Sequence, residues 1–214
     1  MVAESIYKDY QKQLLNGNRL ACKDIVENLL KEGIQVRDIY LNLFQRSLYE
    51  VGALWEANKI SVAIEHMCTA ITESLINIVY PYLSPQSGNE KKVVVMCTPG
   101  EYHQVGARIV ADYFEINQWN SYFLGVNTPE KELEKHNPDL LAVSLSVFFN
   151  INALSALIKK INLFFPGLKV ILGGQGFRWG GKDSFNQYED VSVMLSLDTL
   201  DQNIFNPPHA NYAS

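Results

Sequence analysis

A turn between an apolar run and a helical run reads Pro99-Gly100-Glu101-Tyr102-His103-Gln104-Val105-Gly106. The run before it, residues 93–96, has the composition of a buried strand, and residues 107–114 repeat apolar side chains at a helical spacing. The single histidine has a carboxylate two residues before it and a glycine three residues after it. This arrangement is typical of a metal ligand, because a carboxylate can hold the second ring nitrogen of the imidazole.

The chain that follows continues to alternate short apolar strands with helices. The predicted strands are 92–97, 121–125, 140–146, 169–172 and 191–195, and the predicted helices are 104–116, 129–136, 151–164 and 198–204. This order predicts a parallel, doubly wound, Rossmann-like sheet of five strands. The Ser144-Leu145-Ser146 turn and the Gly173-Gly174 turn then lie at carboxyl ends of strands, as the His103 turn does, and ligands bind at that edge.

The N-terminal part has a helical period throughout. The predicted helices are 3–15, 19–32, 36–57 and 61–82, with Ser61 as the N-cap of the last. Their short connections predict an antiparallel four-helix bundle. The resulting domains are a helical cap at 1–83, a linker at 84–91, a Rossmann-like domain at 92–205 and a flexible tail at 206–214.

Composition limits the classes of function. The 214 residues are 47% hydrophobic and carry a formal net charge of −5, without a cluster of basic residues, so we expect no direct contact with nucleic acid. Three widely spaced cysteines in apolar contexts indicate reduced thiols and a cytoplasmic protein. No apolar run approaches the roughly 18 residues of a membrane span, so we expect no membrane segment.

Two further groups of residues are candidates for a site. In the fourth helix Val62, Glu65 and His66 share one face, and Trp55 lies at the same end of the bundle. Val62, Glu65 and His66 form either a polar notch in an apolar wall or an ordinary exposed helix face, and Trp55 is either a wall of a ligand site or a core residue.

For the turns of the Rossmann-like half the alternatives are also open. His103 can be a metal ligand or a loop histidine with local hydrogen bonds. Ser144 and Ser146 can bind a polar ligand or cap a helix. The glycines, Gly106, Gly173 and Gly174, either leave room for a ligand or serve the backbone conformation alone.

Taken together, the three turns resemble the DxHxxG…SxL…GG pattern of the cobalamin-binding module of methionine synthase and its relatives. The resemblance implies that His103 replaces the dimethylbenzimidazole base as the lower cobalt ligand, with Glu101 behind it and Gly106 giving the corrin room. It also implies that the displaced nucleotide tail lies in a groove lined by Ser144, Ser146, Gly173 and Gly174.

The helical half is similar to the cap of CarH-type light-sensing regulators. That similarity implies that Trp55, Val62, Glu65 and His66 enclose the 5′-deoxyadenosyl group of adenosylcobalamin, bound between cap and Rossmann-like domain. The function implied is a sensor, not an enzyme, with no catalytic residue. It signals the light-driven loss of that group to a partner transcription regulator or another signalling protein. Whether the chain forms a homo-oligomer stays open.

Three departures from these families change what is expected. Glu101 stands where the family has aspartate, and Ser146 where it has leucine or threonine. Glu56 stands where CarH-type proteins carry the histidine that becomes the upper cobalt ligand after illumination. The DNA-binding domain of those regulators is also expected to be absent, so a sensor of this type acts through a partner.

Other functions remain as alternatives. The chain can be the corrinoid methyl carrier of a methyltransferase system, although a bulky Trp55 above cobalt hinders a methyl donor. It can bind another tetrapyrrole, haem or a bilin, in the same pocket. A protein of two domains without any cofactor is the plainest alternative.

Overall fold

The structure, a computed structural model, describes residues 1–83 and 90–206. The chain forms two compact units, Met1–Ser84 and Pro85–Ser214. Residues 84–89 of the predicted linker and 207–214 of the predicted tail lie outside the described residues.

The first unit, here called the helical unit, consists of helices. They are α1 (Glu4–Leu15), α2 (Arg19–Lys31), α3 (Val36–Ile39), α4 (Arg46–Glu56) and α5 (Val62–Val79). A π-helical segment, Tyr40–Gln45, joins α3 to α4 without a break, so these three stretches form the third predicted helix. A 3-10 turn, Tyr80–Tyr82, extends α5. The prediction of a helical N-terminal cap is confirmed.

Side-chain caps begin two of these helices. The Asn18 side chain accepts a hydrogen bond from the Ala21 N–H before α2, at 3.3 Å. Ser61 Oγ accepts one from the Ile64 N–H at 3.4 Å, which confirms the predicted N-cap of α5. Such caps satisfy backbone donors that a helix leaves without partners in its first turn.

The last helix of this unit is its most apolar one. Among the described residues, one helix, Val62–Tyr82, is long and apolar enough to cross a membrane by length and composition, with 21 residues and a mean hydropathy of 1.2. The sequence did not lead us to expect it, because Glu65, His66 and Glu73 interrupt the apolar run. The helix buries a stripe of six side chains and packs against α1, α2 and α4, as a core helix of a bundle does.

The second unit, here called the sheet unit, has five parallel strands in the order β2-β1-β3-β4-β5. The strands are β1 (Lys92–Cys97), β2 (Asn120–Gly125), β3 (Leu140–Ser144), β4 (Lys169–Gly173) and β5 (Val191–Val193). The helices are α6 (Val105–Ile116), α7 (Leu133–His136), α8 (Ile151–Phe164) and α9 (Leu197–Leu200). The predicted five-stranded, parallel, doubly wound sheet is confirmed.

The core of the sheet unit lies under its central strands. From Val93 to Cys97 every residue of β1 is buried, as expected for a parallel strand covered on both faces. Side chains of β1, β3 and β4 form one apolar cluster with those of α8. This packing fixes where the strands end, and the turns that follow them carry the candidate site.

Several element boundaries differ from the prediction, and the largest differences lie at the ends of β3 and β5 and in the last helix. The third strand ends at Ser144 and not at Ser146, because the amide of Ser146 bonds to a side chain and leaves the sheet. The fifth strand ends at Val193. The last predicted helix is the short α9 followed by a π-helical turn, Asp201–Phe205.

Candidate functional site

The strand order places a switch point at the carboxyl ends of β1 and β3. The connection after β1 leads to β2 on one side, whereas the connection after the adjacent strand β3 leads to β4 on the other side. Cys97 pairs with Ser144, and Ser144 with Gly173, so the three strands end level with one another. The structure therefore brings the three predicted turns to one edge, at the place where such sheets bind ligands.

The His103 turn, residues 98–104, is fixed to the end of β3. Thr98 is fully buried, and both its N–H and its Oγ1 donate to the carbonyl of Ser144, at 2.9 and 2.8 Å. Ser146 Oγ donates to the carbonyl of His103 at 3.2 Å. His103 itself is half-buried. Ser146 thus holds the histidine's own backbone, a role that the sequence did not indicate.

Glu101 is the most deeply buried charged residue of this turn. Its side chain is completely buried, and Oε1 accepts hydrogen bonds from the backbone N–H groups of Ser146 and Val147, both at 3.1 Å. The other oxygen, Oε2, is buried without a hydrogen-bond partner. One oxygen of the carboxylate therefore holds the turn after β3, and the other does not hold the His103 imidazole. The expected support of His103 by Glu101 stays a prediction.

The glycines of the motif differ in whether the packing of the chain around them requires a residue without a side chain. A Cβ added to Gly106, in the first turn of α6, would meet no atom within 4 Å. A Cβ on Gly173 would lie 2.9 Å from the Met194 carbonyl oxygen, and one on Gly174 would lie 2.3 Å from that of Leu145. The chain's own packing requires glycine at 173 and 174, whereas nothing within the described chain requires it at 106.

The turns after β3 and β4 are joined directly. The N–H of Leu145 donates to the Gly173 carbonyl at 2.8 Å, and the N–H of Gly176 donates to the Leu145 carbonyl at 2.9 Å. The backbone of Leu145 thus occupies space that the Gly173-Gly174 pair leaves on this side. A nucleotide-tail groove at these residues stays a prediction.

Large apolar side chains rim the same edge. Tyr102 is 86% exposed and Phe149 is 89% exposed, and Trp179 is exposed as well. They follow β1, β3 and β4 respectively. Exposed aromatic side chains grouped on one edge indicate a binding surface. Sequence reasoning missed this rim, although its signal is visible as aromatic residues placed just after apolar strands.

Cys97, the last residue of β1, is a buried thiol beside the His103 turn. Burial, with a smaller contribution from the charge of Glu101, raises the pKa of the Cys97 thiol to about 12. Its Sγ lies 3.9 Å from the His103 carbonyl oxygen. The raised pKa disfavours the thiolate, the form that binds metals, in the protein without cofactor.

The candidate residues of the helical unit lie at the end where α4 leads into α5. Trp55 is 44% and Val62 is 50% exposed. The side chain of Glu65 is only 12% exposed and accepts a hydrogen bond from Thr69 Oγ1 at 3.0 Å. His66 is 69% exposed, with Nε2 3.6 Å from Glu65 Oε2. The four residues thus form a mainly exposed surface, with one carboxylate held inward beneath it.

Comparison with known protein families gives two matches that together span most of the chain. One model, described as a B12 binding domain, matches residues 6–80. A second model, also described as a B12 binding domain, matches residues 91–196. The first match lies on the helices of the first unit, and the second lies on the five-stranded sheet with its helices.

A solved structure with low sequence identity has the same fold. The monomethylamine corrinoid protein of Methanosarcina barkeri superimposes with a TM-score of 0.80 at 15% identity, over 94% of this chain and 98% of that one. A cobalamin-binding protein of Desulfitobacterium hafniense gives a TM-score of 0.44 at 17% identity, over 86% and 90% of the two chains. The methanol:cobalamin methyltransferase complex of M. barkeri gives 0.48 at 15% identity, over 97% and 82%. No curated protein sequence matches this chain.

Proposed function

Because the chain belongs to the cobalamin-binding proteins that join a helical cap to a Rossmann-like domain, we propose that it is a corrinoid carrier serving a methyltransferase partner. In this proposal His103 is the lower cobalt ligand and the protein is soluble and cytoplasmic. The expectation that the cofactor is cobalamin is confirmed by the family matches.

The observation that carries the proposal is the fixed turn of His103 at the switch point. A corrin ring brings four nitrogen donors of its own, so one histidine, His103, would be enough for the protein to hold the cobalt in place of the cofactor's own base. Among residues 1–83 and 90–206, no group of three or more His, Cys, Asp or Glu side chains could hold a bare metal ion. A single half-buried histidine on a hydrogen-bonded turn fits a metal that brings its own equatorial ligands.

The surroundings of His103 also fit a large, flat, partly apolar molecule. Gly106 leaves open space beside α6, three residues after the histidine. The exposed Tyr102, Phe149 and Trp179 give the edge an apolar surface that a macrocycle could cover. When bound, the corrinoid would supply a cobalt–carbon bond, and His103 with the apolar side chains of this edge would hold the ring in place.

Support for a carrier over a sensor comes from the fold comparison. The structure with a TM-score of 0.80 is named a monomethylamine corrinoid protein, and the likeness covers both units. Glu56 adds to this support, since no histidine stands next to Trp55 to bind cobalt after illumination. The partner in this proposal is a methyltransferase.

A light sensor is the second candidate, and one observation favours it. Trp55, Val62 and His66 expose their side chains at one end of the helical unit although two of them are apolar. An adenosyl group could bury this surface, and its loss in light would then release the surface to a partner transcription regulator. Such a ligand shifts a conformational equilibrium only by its difference in affinity for the two states, typically about 1–3 kcal/mol.

The two candidates differ in their response to the upper ligand and to light. The purified protein would be titrated in the dark with methylcobalamin and with adenosylcobalamin, and the oligomeric state of each loaded form would be measured before and after illumination. For a carrier we expect methylcobalamin to bind at least as tightly as adenosylcobalamin, with no change of oligomeric state in light.

A preference of more than tenfold for adenosylcobalamin, together with a light-dependent change of oligomeric state, would replace the carrier by the sensor. Failure to bind either cobalamin would overturn both candidates.

A further inference from the structure

The turn that carries His103 is held on its far side by a residue outside the motif, Asn127. Asn127 follows β2, and its Oδ1 accepts a hydrogen bond from the N–H of Gly100 at 3.0 Å. Both residues have left-handed backbone conformations, with φ of 53° at Asn127 and 83° at Gly100. Asparagine and glycine are the residues that adopt this conformation at least cost.

A second contact joins the same two turns. A Cβ on Gly125, the last residue of β2, would lie 3.2 Å from Gln104 Oε1, so the Gln104 side chain rests against the end of β2. Gly100 precedes His103 by three residues, and Gln104 follows it directly. The turn after β2 therefore contacts the histidine turn on both sides of the ligand residue.

The opposite side of the histidine turn is held from β3. Thr98 donates to the Ser144 carbonyl, and Glu101 accepts from the amides of Ser146 and Val147. The turn around His103 is thus hydrogen-bonded on one side to the turn after β2 and on the other side to the end of β3 and the turn after it. A histidine held in this way loses little conformational freedom when the cofactor binds. The affinity for the cofactor is higher for that reason.

We propose that Asn127 is a positioning residue for His103. By holding Gly100 from the β2 side, Asn127 keeps the turn in the conformation that presents the imidazole to cobalt. Asn127 can have this role only if His103 is the lower cobalt ligand, as proposed above. Because supporting partners of metal ligands typically contribute about 10–100-fold in affinity, we expect an effect near the lower limit for a contact that acts through the backbone.

Two substitutions separate the hydrogen bond from the backbone conformation. Asn127→Gly keeps the left-handed conformation accessible but removes the acceptor, whereas Asn127→Asp retains an acceptor oxygen at the same place. Asn137→Gly is the matched control, because Asn137 is also left-handed, with φ of 45°, and lies after α7 in the same unit. His103→Ala supplies the spectrum of cobalamin without a protein ligand.

Three properties would be measured for each variant. They are the hydrogen-exchange rate of the Gly100 amide in the cofactor-free protein, the affinity for methylcobalamin, and the visible spectrum that distinguishes imidazole from water below cobalt. For Asn127→Gly we expect at least tenfold faster exchange at Gly100, about tenfold weaker binding, and a spectrum part of the way to that of His103→Ala. Asn127→Asp and Asn137→Gly should match the wild type in all three.

These measurements distinguish an error in the role of Asn127 from an error in the assignment of His103 as cobalt ligand. If His103→Ala changes the spectrum while Asn127→Gly keeps wild-type affinity and spectrum, Asn127 is not a positioning residue and the ligand proposal stands. If Asn137→Gly weakens binding as much as Asn127→Gly does, the effect is general loosening of the unit and the inference is wrong. An unchanged spectrum in His103→Ala would overturn the ligand and the inference together.

Discussion

The two units differ in how firmly their own structure holds the candidate site residues. In the sheet unit, Glu101 is completely buried, and the backbone around His103 is hydrogen-bonded to the side chains of Asn127 and Ser146, which follow neighbouring strands. In the helical unit, Trp55 and Val62 are about half exposed, and their neighbour His66 meets only the carboxylate of Glu65 among the contacts described here. The sheet unit thus holds its site by its own fold, whereas the candidate residues of the helical unit, except Glu65, have largely exposed side chains.

This difference would be tested most severely by Gly174→Ala. The added methyl group would lie 2.3 Å from the Leu145 carbonyl oxygen, at a residue whose φ is 108°. Overpacking and backbone strain each cost about 1–3 kcal/mol, so we expect the free energy of unfolding of the sheet unit to fall by about 3–5 kcal/mol. Urea denaturation in a Trp55→Phe background would report this unit alone, because the remaining tryptophans, Trp119 and Trp179, both belong to it.

A loss below about 1 kcal/mol in Gly174→Ala would contradict the close approach of the turns after β3 and β4. Gly33→Ala serves as a comparison in the helical unit, since Gly33 has a φ of 76° but no atom within 4 Å of an added Cβ. It carries the backbone strain without the overpacking.

The next largest effect is expected for Glu101→Ala. The substitution leaves the amides of Ser146 and Val147 without their acceptor, and unpaired buried donors cost about 1–3 kcal/mol each. Because these amides are partly exposed, we expect a total loss of about 2 kcal/mol in the free energy of unfolding, measured by urea denaturation of the cofactor-free protein.

Glu101→Gln sharpens this experiment, because glutamine keeps one acceptor oxygen for the two amides. It should lose about half as much stability as Glu101→Ala. Equal losses in the two variants would mean that the charge of Glu101, and not its hydrogen bonds, stabilises the turn.

Gly106→Ala should separate the stability of the fold from the function of the site. Alanine in a helix is more stable than glycine by about 0.5–1 kcal/mol, and here its methyl group would meet no protein atom. We expect thermal unfolding of the cofactor-free protein to shift upward, while titration shows weaker binding of methylcobalamin. Unchanged binding would show that Gly106 does not face the corrin.

The smallest effect on stability is expected for Trp55→Ala in the helical unit. Exposed side chains away from special features typically change the free energy of unfolding by no more than about 0.5 kcal/mol. We expect circular dichroism melting to remain close to that of the wild type, while the affinity for cobalamins changes. A destabilisation of 2 kcal/mol or more would mean that Trp55 belongs to the core of the bundle, at odds with its exposure.

The sequence predicted the architecture because apolar side chains recur along each helix and strand at the spacing typical of that element. The buried run of β1 and the apolar stripes of α5 and α8 specify their own structures, and Ser61 marks the start of a helix with a cap that the structure contains. The parallel sheet and cobalamin as cofactor were both predictable.

Long-range hydrogen bonds between turns could not be predicted in this way. That Glu101 bonds to the amides of Ser146 and Val147, about 45 residues further along the chain, depends on how the strands are ordered and aligned. The same holds for Asn127, which becomes a neighbour of Gly100 only because β2 lies beside β1. No local pattern in the sequence records either contact.

The π-helical segment Tyr40–Gln45 helps to set the direction in which the side chains of α4 point. A π-turn accommodates one more residue than an α-turn, and each residue of an α-helix rotates its neighbours by about 100° about the axis. Winding this segment as a regular helix would therefore turn Val51 away from the interior and carry Trp55 around to another side. The wider turn rotates α4 about the helix axis relative to α3. A change in its winding could therefore reorient Trp55 without any hinge.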